Sequence, residues 1–157
     1  MRQIANVVAL ALLTLGTVGT AQAQSEHASC NDKLIAGNYG FTVEGTKLGG
    51  QGPTGPQIGV AMTEFDGQGG LTQIDTITVN GEVVADFTHA KATGSYRVNS
   101  DCTGTFTIDF TDGRPPVTAN FVVVESGAEI DSVVVAAGGN QGIIATRSFG
   151  KRRFCRR

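Results

Sequence analysis

Between Thr103 and Thr111, five polar residues (Thr103, Thr105, Thr107, Asp109 and Thr111) alternate with Gly104, Phe106, Ile108 and Phe110. Alternation of period two places one set on each side of an extended chain, so the segment predicts a strand with one apolar and one solvated face. Segments of this kind recur along the chain, each broken by a Gly, Asn-Gly or Asp-Gly turn. No stretch after Ala23 shows sustained helical periodicity, and glycine, at 22 of 157 residues, is well above its usual share. The pattern predicts an all-β fold whose antiparallel sheet is long enough to close on itself.

Taking turns as boundaries gives eight segments: Gly37–Gly45, Gln57–Asp66, Gly70–Asn80, Glu82–Asn99, Thr103–Thr111, Pro116–Glu125, Ala128–Ala136 and Gly142–Phe149. The fourth is too long to run straight, so a bulge or kink is expected near Ala90 to Gly94. Eight segments joined by short turns suit a single up-and-down β-barrel, which removes exposed edges; a β-sandwich is the alternative. With Ser126-Gly127 as a two-residue loop, Val123 faces Ile130, Phe121 faces Ser132, Ala119 faces Val134 and Val117 faces Ala136. That face is almost wholly apolar, while Glu129 and Asp131 fall on the other, so both strands agree on the core side.

Up-and-down order sorts the connections into two ends. Asp66–Gly70, Ser100–Cys102 and Ser126–Gly127 share one end with both termini and with Cys30, Cys102 and Cys155. Gly45–Pro56, Asn80–Gly81, Asp112–Pro115 and Ala137–Gln141 form the other. Gly49, Gly50 and Gly52 loosen the Gly45–Pro56 loop and Pro53 and Pro56 stiffen it. It reads equally as a lid over a barrel mouth or as a tolerated surface insertion.

Residues 1–23 read as a signal peptide: Arg2 supplies the positive start, Ile4 and Val7 to Leu15 a short apolar core, and Ala21-Gln22-Ala23 the cleavage site. A lipobox at His27-Ala28-Ser29-Cys30 fits less well, because histidine stands where an aliphatic is wanted. The expected product is exported, periplasmic or extracellular, with a barrel domain over 24–150 and a basic tail over 151–157. In an oxidising compartment two of the three cysteines would pair. No Cys-x-x-Cys or histidine at zinc spacing accompanies them, so no metal is expected.

Six cations against fourteen acids leave residues 24–150 with a net charge of −8, which argues against nucleic acid as a partner. The basic tail reads as a solubilising end or as a contact to an anionic surface. Eight Phe, two Tyr, no Trp and a charged C-terminus lack the aromatic girdles of a transmembrane barrel, so a soluble monomer or weak dimer without a transmembrane span is expected.

Gly94-Ser-Tyr-Arg-Val-Asn-Ser-Asp-Cys-Thr-Gly-Thr105 resembles a signature of small exported bacterial proteins of the allene oxide cyclase barrel-like group. Leu34-Ile-Ala-Gly-Asn-Tyr-Gly-Phe41 after Cys30 is similar to that group's opening strand, and Phe65 to Leu71 and Gly127 to Ile130 to its later turns. The resemblance implies a calycin-like barrel, a disulfide between Cys30 and Cys102, and Cys155 left free or intermolecular. Related barrels bind apolar molecules internally; most bacterial members carry no assigned activity, and no catalytic motif carries over.

Candidate chemistry centres on Asn80-Gly81. A type I′ loop there pairs Val79 with Glu82 and Ile77 with Val84, and sets Asp75 opposite Asp86. If that face points inward, two carboxylates about 5 Å apart share a low-dielectric lumen and one becomes a proton carrier for an isomerase or cyclase. Ile74 and Phe87, on the other face with Thr72 and His89, make the more convincing core pair, which turns both acids outward and His89 inward. Tyr39, Phe41, Tyr96, Phe106, Phe110 and Phe121 are the expected lumen aromatics, and Glu64, sharing parity with Ile58, Val60 and Met62, is a candidate to join them. No nucleophile motif, no phosphate-cradling loop and no cofactor is read. Binding of a small apolar ligand is the leading expectation, with a barrel isomerase and a non-catalytic structural or adhesion module as alternatives.

Overall fold

A computed structural model describes residues 29–89, 91–137 and 144–153. Nine strands form one antiparallel sheet: β1 (Gly37–Lys47), β2 (Gly55–Phe65), β3 (Gly70–Val79), β4 (Glu82–Ala85), β5 (Lys91–Val98), β6 (Thr103–Phe110), β7 (Val117–Val124), β8 (Glu129–Ala137) and β9 (Ile144–Arg152). Pairing runs β2-β1-β9-β8-β7-β6-β5-β3, and β2 also pairs with β3, so eight strands close a barrel. The extra strand, β4, lies outside that ring. β3 gives its first half, Gly70–Ile74, to β5 and its last residues, Ile77–Val79, to β4. The expected signal peptide, Cys155 and most of the basic tail lie outside the described residues. Lys151 and Arg152 belong to β9.

The long fourth segment is not one bent strand. It breaks into β4 and β5 around the Asp86–His89 turn, ahead of the expected kink. The cause is local: the Asp86 carboxylate accepts the backbone N–H groups of Thr88 (2.8 Å) and His89 (3.2 Å), an Asx turn that ends the strand. At Asn80-Gly81 the left-handed φ values of 51° and 85° fit the expected type I′ loop, and Val79 does face Glu82. A bulge then shifts the register between Ile77 and Thr78, so Ile77 faces Ala85 rather than Val84. In the β7–β8 hairpin Val123, Phe121 and Ala119 face Ile130, Ser132 and Val134 as expected, whereas Val117 faces Ala137, one residue past the expected Ala136, because of a bulge at Thr118/Ala119.

One end of the barrel is plugged. A short 3-10 turn, Asp32–Ile35, drops the fully buried Ile35 into it beside Tyr39, Phe65 and Ile130. Phe65 stands edge-on between Tyr39 and Tyr96, with ring centroids 5.5 and 4.9 Å away. Each tyrosine hydroxyl is satisfied. Tyr39 donates to the Gly127 carbonyl and accepts from Arg152 Nε at 3.0 Å. Tyr96 donates to the Asp32 carbonyl at 3.0 Å and accepts the Gly67 N–H at 2.9 Å. Cys30 and Cys102 meet at bonding distance with Cα atoms 5.0 Å apart, tying the chain before this plug to the β5–β6 turn.

Candidate functional site

Above the plug the lumen opens into a cavity of about 260 Å³ at the end that carries the Gly-rich loop. Phe41, Phe106, Ile108 and Phe110 supply much of its apolar wall, and Gly52, Pro53, Arg114 and Pro115 reach it from the rim loops. Among the described residues the rim is therefore built by the β1–β2 and β6–β7 loops, two of the four connections placed at that end from sequence; another, Ala137–Gln141, lies largely outside the described residues.

Polar groups enter this apolar space along one wall. Thr63 Oγ1 donates to Gln73 Oε1 (2.8 Å), and Gln73 Nε2 donates to Asp75 Oδ2 (3.2 Å). Arg114 then clamps Asp75 with Nη2 to Oδ1 at 2.8 Å and Nη1 to Oδ2 at 3.2 Å, while its Nε reaches Asp112 at 2.8 Å. The guanidinium also covers the Phe110 ring at 3.8 Å. Asp75 is only 2 % exposed. A carboxylate that deep stays tolerable because its oxygens accept from two side chains, one of them a fixed cation.

This geometry corrects the two-carboxylate expectation twice. Asp75 points into the lumen, so the face assigned outward from Ile74 and Phe87 is the inner one; Ile74 and Phe87 are 38 % and 47 % exposed. Yet Asp86 is not its partner. The bulge in the β3–β4 ladder removes the register that set them opposite, and Asp86 caps its own turn instead. There hydrogen bonds from the Thr88 side chain and backbone, then His89, lower its pKa from 3.8 to about 2. His89 follows Asp86 outward, with its side chain 81 % exposed and Nδ1 3.2 Å from the Asp86 carboxylate, so it does not enter the lumen.

Glu64 is likewise outside. β1 pairs with β2 so that Tyr39 faces Thr63 and Phe41 faces Ala61, which puts the odd-numbered residues of β2 on the core side. Ile58, Val60 and Glu64 consequently face out, and small residues sit opposite the large rings of β1. Of the expected aromatics, Phe41, Phe106 and Phe110 line the cavity. Tyr39 and Tyr96 belong to the plug. Phe121 is buried against Phe106, centroids 5.7 Å apart, rather than at the cavity surface. Burial raises the pKa of both tyrosines, offset in part at Tyr39 by Arg152 and at Tyr96 by the N–H groups of Gly67 and Gly69. Their hydroxyls act as neutral struts.

Sequence reading missed Arg114, Thr63, Gln73 and Lys47 as lumen residues. Lys47 had a signal: it continues the parity of Tyr39, Phe41 and Val43, two positions beyond the expected strand end. Arg114 had none, since its placement depends on a loop folding back toward β3. Among the described residues no group of three or more His, Cys, Asp or Glu is arranged to hold a metal ion, and no helix is long and apolar enough to cross a membrane. Compared with protein-family models, curated proteins and solved structures, the chain matches none.

Proposed function

We propose that this is an exported barrel of the allene oxide cyclase barrel-like, calycin-like kind that holds a small apolar ligand in its upper lumen. The observation carrying the reading is the cavity itself: a plugged floor, an aromatic and aliphatic wall, and a rim to which the β1–β2 and β6–β7 loops contribute. Such sites are typically concave and mostly apolar, with few polar groups. An inward-facing apolar set is also the reverse of a membrane barrel, whose interior is polar. The Cys30–Cys102 pair suits an oxidising compartment.

Binding is favoured over proton-transfer catalysis for a structural reason. Both oxygens of Asp75 accept from Arg114, and one also from Gln73, so the carboxylate has its partners within the protein and none of them is a second acid.

A neutral aromatic probe, 2-naphthamide, tests the reading by isothermal titration. Saturable binding by the wild type that Ala61→Phe abolishes is the expected result, since Ala61 lines the cavity and is 6 % exposed. Circular dichroism checks that the variant is folded. No binding, or binding that a folded Ala61→Phe leaves untouched, overturns it.

A further inference from the structure

Lys47, the last residue of β1, lies on the cavity wall with only 7 % of its surface exposed. An ammonium carries three N–H donors. Here one of them goes to the Gln51 carbonyl in the Gly-rich loop. No carboxylate of the described residues lies within 4.0 Å of it, whereas Arg114 at the same cavity pairs with both Asp75 and Asp112. Gly52 of the Gly-rich loop lies beside Lys47: a Cβ there would stand 3.6 Å from Nζ, an ordinary contact. Lys33, Lys91 and Lys151, by contrast, are exposed. A cation buried without a counter-charge is costly and is normally paired.

Arg114 differs in charge rather than in donors: each terminal nitrogen keeps a second N–H, but its positive charge already faces the carboxylates of Asp112 and Asp75. An incoming anion therefore meets Lys47 as the cavity cation that has no carboxylate partner among the described residues.

We propose that the cavity selects a compact apolar molecule bearing one negative charge, which accepts the remaining donors of Lys47 while its apolar body rests on Phe41, Phe106 and Ile108. The inference rests on the ligand-binding reading above and deepens it. Because an ammonium is a point charge rather than a planar fork, it imposes no headgroup shape. Carboxylate and sulfonate should both serve.

The experiment compares 2-naphthoate, 2-naphthalenesulfonate and neutral 2-naphthamide on the wild type and on Lys47→Met, by titration at low salt. Expected for the wild type is a preference of about tenfold or more for both anions over the amide, the scale of one charged hydrogen bond. In Lys47→Met that ratio falls to near unity. Equal binding of acid and amide by the wild type overturns the inference and leaves the pocket intact. An anion preference that survives in Lys47→Met also overturns it. Failure of all three probes to bind overturns both readings. Should Lys47→Met not fold, the wild-type ratio still decides, together with the Lys47 side-chain NMR signals. The Lys47 Nζ signal shifts farther with naphthoate than with the amide if the inference holds, and no farther with naphthoate than with the amide if it fails.

Discussion

The carboxylate of Asp75 on β3 and the guanidinium of Arg114 in the β6–β7 loop form a two-point ion pair, with N···O separations of 2.8 and 3.2 Å. It lies just above Ile74, the last residue of β3 paired with β5, and so ties the loop to the wall where the ladder ends. Removing one partner of such a pair costs more than removing both. Arg114→Ala should lower stability by about 3 kcal/mol in urea unfolding, whereas the double change Asp75→Leu with Arg114→Met should cost much less. Equal losses in the two proteins would show that the buried charge is not what the loop satisfies.

Acid titration should single out Asp86. Its folded pKa of about 2 lies below the ordinary 3.8, chiefly through hydrogen bonds from Thr88. A depressed carboxylate contributes stability that is present above the ordinary value and lost as pH falls through the folded one. The Asp86–His89 turn should accordingly loosen between pH about 4 and about 2. Carboxyl-carbon NMR should place the Asp86 midpoint near 2, and Thr88→Ala should raise it; a midpoint near 4 in the parent protein would contradict the turn's geometry.

Two strand glycines should differ in how much they resist alanine. A Cβ at Gly94 would stand 2.0 Å from the Thr107 carbonyl oxygen, which is backbone of the adjoining strand. At Gly104 the nearest atom, at 2.2 Å, is Cζ of the Phe121 ring. Overpacking of this kind costs about 1–3 kcal/mol. Gly94→Ala should sit at or above the top of that range. Gly104→Ala should be partly rescued by Phe121→Leu, though only partly, since the Arg97 carbonyl oxygen is also 2.5 Å away. Thermal melts of the three proteins test the order.

Peptide mapping without reduction should recover Cys30 joined to Cys102. The bond closes a loop spanning 72 positions, for which chain entropy alone amounts to about 4 kcal/mol. Cys102→Ser should lower the urea midpoint accordingly. A Cys30–Cys155 peptide would mean that the plug is fastened elsewhere.

Much of the architecture was legible because turns announce themselves chemically. Asn80-Gly81 can take left-handed backbone angles at little cost, and eight apolar-alternating segments between such turns have few closed arrangements. The β7–β8 hairpin was readable to the level of individual pairs, since Val123, Phe121 and Ala119 are apolar on one face and the other face carries Glu129 and Asp131. The site was far less legible. β2 and β3 carry apolar residues on both faces, so Ile58, Val60 and Ile74 looked like core and are not.

Alternation and turn chemistry by themselves determined that this chain forms an antiparallel all-β fold; its closure as a barrel rather than a sandwich was decided by the tertiary pairings of β1 with β9 and β2 with β3. Period two leaves two faces for every strand, and nothing local says which one is inner. Tertiary structure made that choice, because once the rings of Tyr39 and Phe41 fill the lumen, their cross-strand neighbours on β2 must be small and β3 must follow in phase. The same packing brought Asp75 and Arg114, 39 positions apart, within reach and left Lys47 at the rim of the cavity, relationships of distance that no single segment contains.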